Sequence, residues 1–293
     1  MYSRREFITT VSTGIGTAAL VGGRAMAAEP TIKTPIKGIV GLQLWSLRES
    51  LLKDLPGTLA RIRAMGFEQV EGAGLWGHTV QDLRAALDKA GLRCPSAHMG
   101  DDRLRTDMAG AFAEARAMGA SWIVCPWISH GQTFTRDDAM KAAELFNRVG
   151  KAARGEGLHF GYHTHGYEFV PSPDGTLFDT LVKNTDADTV AFQIDLLHTY
   201  HGGGDPVAII NAQGKRVASL HLKDLKKGVP VKAGAAGAEP DDEVPVGSGA
   251  IDMSAVLRAA AKAGTTYYFI EDESPDPLGN IPRSIKYLEA VRF

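Results

Sequence analysis

Ile39-Val40-Gly41-Leu42-Gln43-Leu44-Trp45-Ser46-Leu47 is the stretch on which the fold turns. Its first six residues form a short, mostly apolar run, as a strand buried on both faces requires. The residues just past that run separate two architectures. A doubly wound open sheet carries a glycine-rich phosphate turn directly after its first strand. Here the strand runs out through Gln43-Leu44-Trp45-Ser46-Leu47, which contains no glycine. The first strand therefore argues for a closed barrel.

The rest of the chain repeats one grammar. Short apolar runs at residues 39–44, 92–98, 122–126, 158–163, 190–195, 217–221 and 267–271, with a further strand starting at Gln69-Val70-Glu71, alternate with segments of helical period. Those helices are expected at 56–65, 79–90, 109–118, 135–154, 177–183, 206–211, 253–263 and 281–291. Gly66, Gly91 and Gly119 stand where helices stop. Thr79 offers a capping hydroxyl, and Asp137 and Asp138 sit in a first turn, where the helix dipole favours acids. Eight strand–helix units in roughly 250 residues are what a (β/α)8 TIM barrel needs. One segment, 226–250, is rich in Gly, Ala, Pro and acids and has no period. It comes after the seventh strand, on the face where barrels carry their active sites, and reads as a lid or an oligomer arm.

The first 28 residues read differently from residues 29–293. Ser3-Arg4-Arg5-Glu6-Phe7-Ile8 leads into a weakly apolar stretch and then Ala25-Met26-Ala27. A basic start, a short apolar region and a small-residue cleavage site make a secretory signal. The paired arginines match the twin-arginine type, so the expected partner is the Tat export machinery and the expected location periplasmic. The apolar stretch is too short and too polar for a stable membrane span. With a formal net charge of -2 the chain lacks the basic surface that a nucleic-acid partner demands. The two cysteines, Cys94 and Cys125, form neither a disulfide framework nor a thiolate metal site.

The chemistry collects at strand ends. The third strand ends at His98, and the fifth in His163-Thr164-His165-Gly166-Tyr167-Glu168. The sixth ends in Asp195 with His198 three residues on, the seventh in His221-Leu222-Lys223-Asp224, and the eighth in Glu271-Asp272-Glu273. Counting His78 and His201, seven of the nine histidines fall at or just beyond strand C-termini. Any one of them alone is more often structural than a ligand. Four consecutive strands that all end in a carboxylate or an imidazole carry more weight, because acids converging on one mouth repel unless a proton or a cation sits between them. Oxygen and imidazole donors without thiolate suit Mn2+, Co2+, Mg2+ or Zn2+.

From residue 38 to the C-terminus these features resemble the xylose-isomerase-like barrel superfamily of sugar isomerases, epimerases and inosose-processing enzymes. The matching motifs are Gly161-Tyr162-His163-Thr164-His165-Gly166-Tyr167-Glu168-Phe169, the Asp195-x-x-His198 pair, His221-Leu222-Lys223-Asp224, Val246-Gly247-Ser248-Gly249-Ala250-Ile251-Asp252 and Phe269-Ile270-Glu271-Asp272-Glu273. The resemblance implies one divalent metal held by Glu168, Asp195, His221 and Glu271. Tyr162 stands where the epimerase branch has its strand-five glutamate, so the strand-five ligand is Glu168 from the loop or one of His163 and His165. Such a metal polarises a carbonyl and acidifies the neighbouring C–H. Glu168 and Glu271 are then the expected acid–base pair. His198 and Lys223 would hold substrate oxygens, His98 and His165 line the pocket, and Trp45 forms an apolar wall.

The expected reaction is isomerisation or epimerisation of a keto-sugar through an enediolate. The alternative is elimination, on 3-keto-glycosides or by dehydration of inososes. Two other classes share the barrel: a non-catalytic sugar-binding protein, and a multi-metal nuclease of the endonuclease IV kind, which the acidic charge disfavours. A homo-oligomer is compatible with the sequence and is not specified by it.

Overall fold

A computed structural model of the chain describes residues 32–173 and 175–293. The segment read as a signal peptide, residues 1–28, lies outside the described residues. Eight parallel strands close into a barrel: β1 (Ile39–Gln43), β2 (Gln69–Gly72), β3 (Arg93–His98), β4 (Trp122–Cys125), β5 (His159–His163), β6 (Ala191–Asp195), β7 (Val217–Leu222) and β8 (Tyr267–Ile270). Each pairs with its sequence neighbours, and β8 returns to pair with β1, Ile39 opposite Tyr267 and Leu42 opposite Ile270. The expected TIM barrel is the observed one.

Helices alternate with these strands because their ends are specified locally. Thr79, Thr135 and Thr176 each close a capping box with an Asp three residues later. Gly91, Gly119 and Gly264 take left-handed conformations at helix ends, which costs a glycine little. The final helix differs from expectation. It runs Pro277–Ala290 and starts four residues early, with Asp276 capping it and Pro282 inside it. The Asp276 side chain accepts from Gly279 N–H and so starts the helix ahead of the first apolar residue of its period, Ile281. No helix among the described residues is long and apolar enough to cross a membrane.

Alternation along the strands puts different chemistry on the two faces of the barrel wall. Outward residues are apolar: the Tyr162 and Phe160 rings meet Phe146 of the helix Arg136–Gly155, and Phe192 meets Phe178 of the helix Leu177–Asn184. Inward residues near the C-terminal ends are polar, and His163 of β5 contacts the rings of both His98 and His221. Beneath this polar layer Phe269 fills the interior, with its ring at His221. Gly41 makes room for it, since a Cβ there would lie 2.8 Å from the Phe269 ring.

The segment 226–250 is ordered by one carboxylate. Asp224, just past β7, accepts from the backbone N–H of Leu225 (3.0 Å), Gly247 (2.9 Å), Gly249 (2.9 Å) and Ile251 (3.2 Å). The segment leaves and returns as a two-residue ribbon, Asp224–Leu225 against Glu243–Val244. Its middle lies on the loops after β5 and β6: Gly166 N–H donates to Ala236, and Lys232 N–H to His201. It therefore covers part of the barrel mouth. Replacing Asp224 by Ala strips four donors of a charged acceptor. We expect a loss of about 2–4 kcal/mol in chemical denaturation, with protease cutting first inside 226–250. A variant as stable and as resistant as the wild type contradicts this account.

Candidate active site

The floor of the barrel mouth is built around an acid from β2. Glu71 is fully buried. Its Oε2 accepts from Gln43 Nε2 of β1 at 2.7 Å and from His221 Nε2 of β7 at 2.6 Å, with His98 Nε2 of β3 at 3.3 Å. Its Oε1 accepts from the Ser96 hydroxyl and from Gln193 Nε2 of β6 at 2.9 Å. Burial alone would protonate this group, but the His98 and His221 imidazoles and their hydrogen bonds hold its carboxyl well below the usual carboxylate range.

A second acid grips the other side of the same histidine. His221 Nδ1 lies 2.9 Å from Glu271 Oε2 and 3.9 Å from Asp195 Oδ2. Burial opposes a charge on this ring, yet Glu271 and Glu71 lift its pKa to about 10, so it stands as an imidazolium between two carboxylates. Lys223 is buried beside it, 3.4 Å from Glu271, 3.7 Å from Glu243 and in a short ion pair with Glu273. Burial works against the ammonium too, and the surrounding carboxylates keep it charged. Glu243 comes from the segment 226–250 and also accepts from the Glu273 backbone N–H at 3.1 Å.

Asp195, His221 and Glu271 bring one donor atom each to within 4.8 Å of one another. Asp195 supplies a direct test of whether a metal fits. Its Oδ1 caps the helix Leu196–His201 by accepting from His198 N–H at 2.7 Å, while its Oδ2 is buried with no hydrogen-bond partner. An orphaned buried carboxylate oxygen beside an imidazole nitrogen and a second carboxylate is the environment a divalent cation would complete. With a cation present, His221 would lose the proton on Nδ1 and keep the one on Nε2 that faces Glu71, the usual support for a metal-bound histidine.

Above this layer opens a cavity of about 450 Å3. Trp45, His98, His165 and His198 all line it, as their strand-end positions lead one to expect, together with His163, Trp127, Glu271 and Glu273. Trp45 is held at the rim by its indole N–H on Glu273 Oε1 (3.0 Å). His165 and His198 stack with ring centres 5.0 Å apart. Burial, then the neighbouring imidazoles, holds His163 and His165 well below the ordinary histidine pKa, so both rings are neutral. Lys223 does not line the cavity but braces its wall. A larger cavity of about 760 Å3 sits at the other end of the strands, beside Gly38, Gln69 and Arg93. Size would select that one; converging acids and imidazoles select the mouth.

Glu168 is not brought to this site. It is fully buried on the short turn Tyr167–Phe169, and its Oε1 accepts from the Tyr162 hydroxyl and from His165 N–H at 2.9 Å. Tyr162 faces outward from β5, so it draws the carboxyl into the layer between strand and helix. Among the described residues Glu168 belongs to none of the groups that could hold a metal. His163, by contrast, reaches the cavity from the strand itself. The residues that strand-end reasoning overlooked are Glu71, Gln43 and Gln193. Their signal was the inward period of two on β1, β2 and β6, which places a polar residue next to each strand end.

A family model described as xylose isomerase-like TIM barrel matches residues 59–291. Among curated relatives, an inosose dehydratase of Lacticaseibacillus casei is 27% identical over 169 residues, 54% of this chain and 56% of that protein. The chain spans about a third to about half of the length of the curated relatives it matches. Among solved structures, a sugar phosphate isomerase/epimerase from Parabacteroides distasonis is similar with a TM-score of 0.72 and 25% identity, over 87% of this chain and 96% of that one. The IOLI protein with a binding zinc atom is similar in fold, with a TM-score of 0.66 and 17% identity, over 85% of this chain and 94% of that one.

The placement of Glu168 has a consequence for stability. Burial raises its pKa to about 7, only partly offset by the His165 N–H and the Tyr162 hydroxyl. A carboxyl whose pKa is higher folded than unfolded favours the fold while it is protonated. That contribution is complete below the unfolded value of 4.5 and is lost as pH rises through about 7. Glu168→Gln removes the titration. Its stability relative to the wild type should therefore improve between pH 5 and pH 8 by as much as about 3 kcal/mol. A difference that stays flat across denaturation curves in that range places the ionised carboxylate in a solvated position instead.

Proposed function

This chain belongs to the family of xylose isomerase-like TIM barrels, and on that premise we propose that it removes an α-proton from a keto-sugar or keto-polyol and expels the oxygen substituent on the next carbon. Asp195, His221 and Glu271 would hold one divalent metal ion. When bound, that ion supplies Lewis acidity, which polarises the substrate carbonyl and lowers the barrier to losing the adjacent proton.

The observation that carries this reading is the distribution of groups around the cavity. Its two carboxylates, Glu271 and Glu273, both come from the end of β8. In the order of the barrel β8 faces β4, and the strands beside β4, namely β3 and β5, contribute His98 and His163 to the cavity. Epimerisation needs a proton carrier on each face of the substrate, and the pairing of Glu168 with Glu271 would have met that need. Glu168 is turned away, so one face is left to imidazoles. Elimination asks for one base and for a group that protonates the departing oxygen. His198 lines the cavity and lies 3.5 Å from the buried Lys223 ammonium, which places it for the second task. The inosose dehydratase among the relatives favours the same outcome over isomerisation. The two partly exposed indoles, Trp45 and Trp127, flank the opening and suit the apolar face of a sugar ring.

The test has two parts. Metal analysis of the purified protein should give one divalent ion per chain, lost on Asp195→Asn. NMR in deuterated water, over a panel of inososes, free keto-sugars and 3-keto-glycosides, should show an enone growing in on the dehydration or glycoside arm. Glu271→Gln should reduce that rate at least about 100-fold. Exchange of the α-proton with return to a sugar epimer, and no enone, would restore the isomerase reading. No exchange and no enone on any arm sinks both.

We also read residues 1–28 as a twin-arginine export signal, and place the mature protein in the periplasm, where unphosphorylated keto-sugars are the better match. Changing Arg4 and Arg5 together to Lys should leave precursor in the cytoplasm. Export unaffected by that change rules out the twin-arginine route.

A further inference from the structure

The cavity at the mouth has two unlike halves. The ends of β5 to β8 and the loops after them line one half with His163, His165, His198, Glu271 and Glu273. The loops after β1 to β4 line the other with Trp45, Ala73, Gly74, Gly100, Pro126 and Trp127. Among the described residues, His98 is the one titratable side chain that these four strands add to the lining, and its Nε2 is spent on Gln193 at 2.9 Å and Glu71 at 3.3 Å. In barrel order the second half therefore begins and ends on an indole, with small residues between. A Cβ added to Gly74 or to Gly100 would meet nothing within 4 Å, so the space over both glycines is open.

Both indoles are braced before any ligand arrives. Trp45 is held through its N–H by Glu273, with the Trp76 ring 6.1 Å away and the Arg48 guanidinium over it at 5.2 Å. Trp76 takes a φ of 53°, a left-handed conformation that bulky residues rarely adopt, and strain of that kind collects at ligand clamps. Trp127 stacks on His130 at 5.2 Å and meets the rings of His165 and Tyr167 edge-on at 4.9 and 4.8 Å. The Tyr167 hydroxyl accepts from Ile128 N–H at 3.1 Å and so fixes the backbone beside that indole. Even so, Trp45 stays 42% exposed and Trp127 37%. Rigid aromatic walls left open to water lose little entropy on binding and gain from whatever apolar area a ligand covers.

We propose that this apolar half is a subsite for the leaving group, and that the oxygen expelled from the substrate carries a ring, as the alcohol part of a keto-glycoside does. The assignment rests on the elimination reading of the site. The reacting carbons belong against the acids and imidazoles of β5 to β8, and what lies across the cavity is then the substituent they release. Release of water would need no such room, and apolar walls hold a hydroxyl less well than water does. At about 450 Å3 the cavity falls in the range, about 300–1,000 Å3, that encloses drug-sized molecules. The step balances as an elimination. The α C–H bond breaks and its electron pair becomes the new double bond. The C–O bond on the next carbon breaks, and the oxygen leaves with that bond's electron pair and gains a proton. The products are an enone and a ring-bearing alcohol, and no oxidant or reductant is needed.

Methyl and benzyl 3-keto-glucosides test this, because their leaving oxygens are of nearly equal basicity and only one carries a ring. Enone formation followed by NMR should give a kcat/KM for the benzyl compound at least about tenfold above that for the methyl compound. Trp127→Ala removes one wall and should bring that ratio to within about threefold of unity. Gly100→Leu fills the slot instead. Gly100 has a φ of -57°, which any residue adopts, so the new side chain enters without backbone strain, and the ratio should fall to unity or below. Both variants should keep the metal content of the wild type. Saturation-transfer NMR gives a readout free of catalysis: the ring protons of benzyl alcohol should receive saturation from the wild type and lose it in Gly100→Leu. A ratio near unity in the wild type, a ratio that neither variant moves, or benzyl alcohol still saturated in Gly100→Leu each overturns the subsite while the elimination reading stands. Enone from inososes and from neither glucoside does the same. No enone from any of these compounds overturns both.

Discussion

Everything polar in the barrel mouth takes its direction from Glu71, a buried carboxylate that can accept hydrogen bonds and cannot give one. Five side chains from four strands lie against it: Gln43, Ser96, His98, Gln193 and His221. Each must turn a hydrogen inward, and in doing so turns its other face towards the cavity. Gln43 thereby aims its carbonyl at Trp45 N–H, at 3.2 Å, and helps set the rim. Gln193 aims its carbonyl at two imidazoles. His221 keeps Nδ1 for Asp195 and Glu271. An isolated buried carboxylate would be far too costly to keep ionised. This one is kept by the hydrogens of its neighbours and by the positive charge on His221, and breaking such a pair from one side costs about 3–5 kcal/mol. Order in the floor and charge in the site are one constraint seen from two directions.

The fold was legible because its signals are local. Most strands are short apolar runs, most helices have a cap or a stop, and a first strand without a phosphate turn argues against the open sheet. The three short helices Arg48–Lys53, Asp101–Thr106 and Leu196–His201 were not legible. They span six residues each and sit in loops after β1, β3 and β6, where tertiary contacts rather than period hold them. Asp195 illustrates why. It ends a strand, caps the next helix and offers its other oxygen to the site. A single residue in three roles leaves no separate mark for the helix.

The site was half legible. The rule that functional groups gather at strand C-termini found His98, Asp195, His221 and Glu271, and placed His165, His198 and Trp45 around the opening. It missed Glu71 because that acid stands alone in Gln69-Val70-Glu71-Gly72, with no histidine beside it in the sequence. The histidines that hold it arrive from β3 and β7, 27 and 150 positions later in the chain. Gln43 and Gln193 carry no charge and drew no notice, although a buried amide is what relays direction from one group to another. Glu168 shows the opposite failure. Spacing puts a glutamate just beyond β5, but spacing cannot say which way a loop carboxylate turns, and the outward Tyr162 hydroxyl decides it.

That turn bears on the chemistry. With Glu168 in the mouth, the cavity would have carboxylates on two sides, and among the described residues His221 and Lys223 would face Glu71, Asp195, Glu271, Glu273 and Glu168 together. Removing one acid from the mouth and leaving neutral imidazoles on that side lowers the charge to be balanced. It also changes what the wall can do. A carboxylate that has taken a proton is neutral, and it can wait for the substrate to turn or for a second face to act. An imidazole that has taken a proton becomes a buried cation among other imidazoles, and burial and those neighbours press it to give the proton back. On the proposed reaction the nearest acceptor is the departing oxygen, and protonating that oxygen completes an elimination. The choice between isomerising and eliminating would then rest on which side chain β5 turns inward: a carboxylate that holds a proton, or an imidazole that returns it.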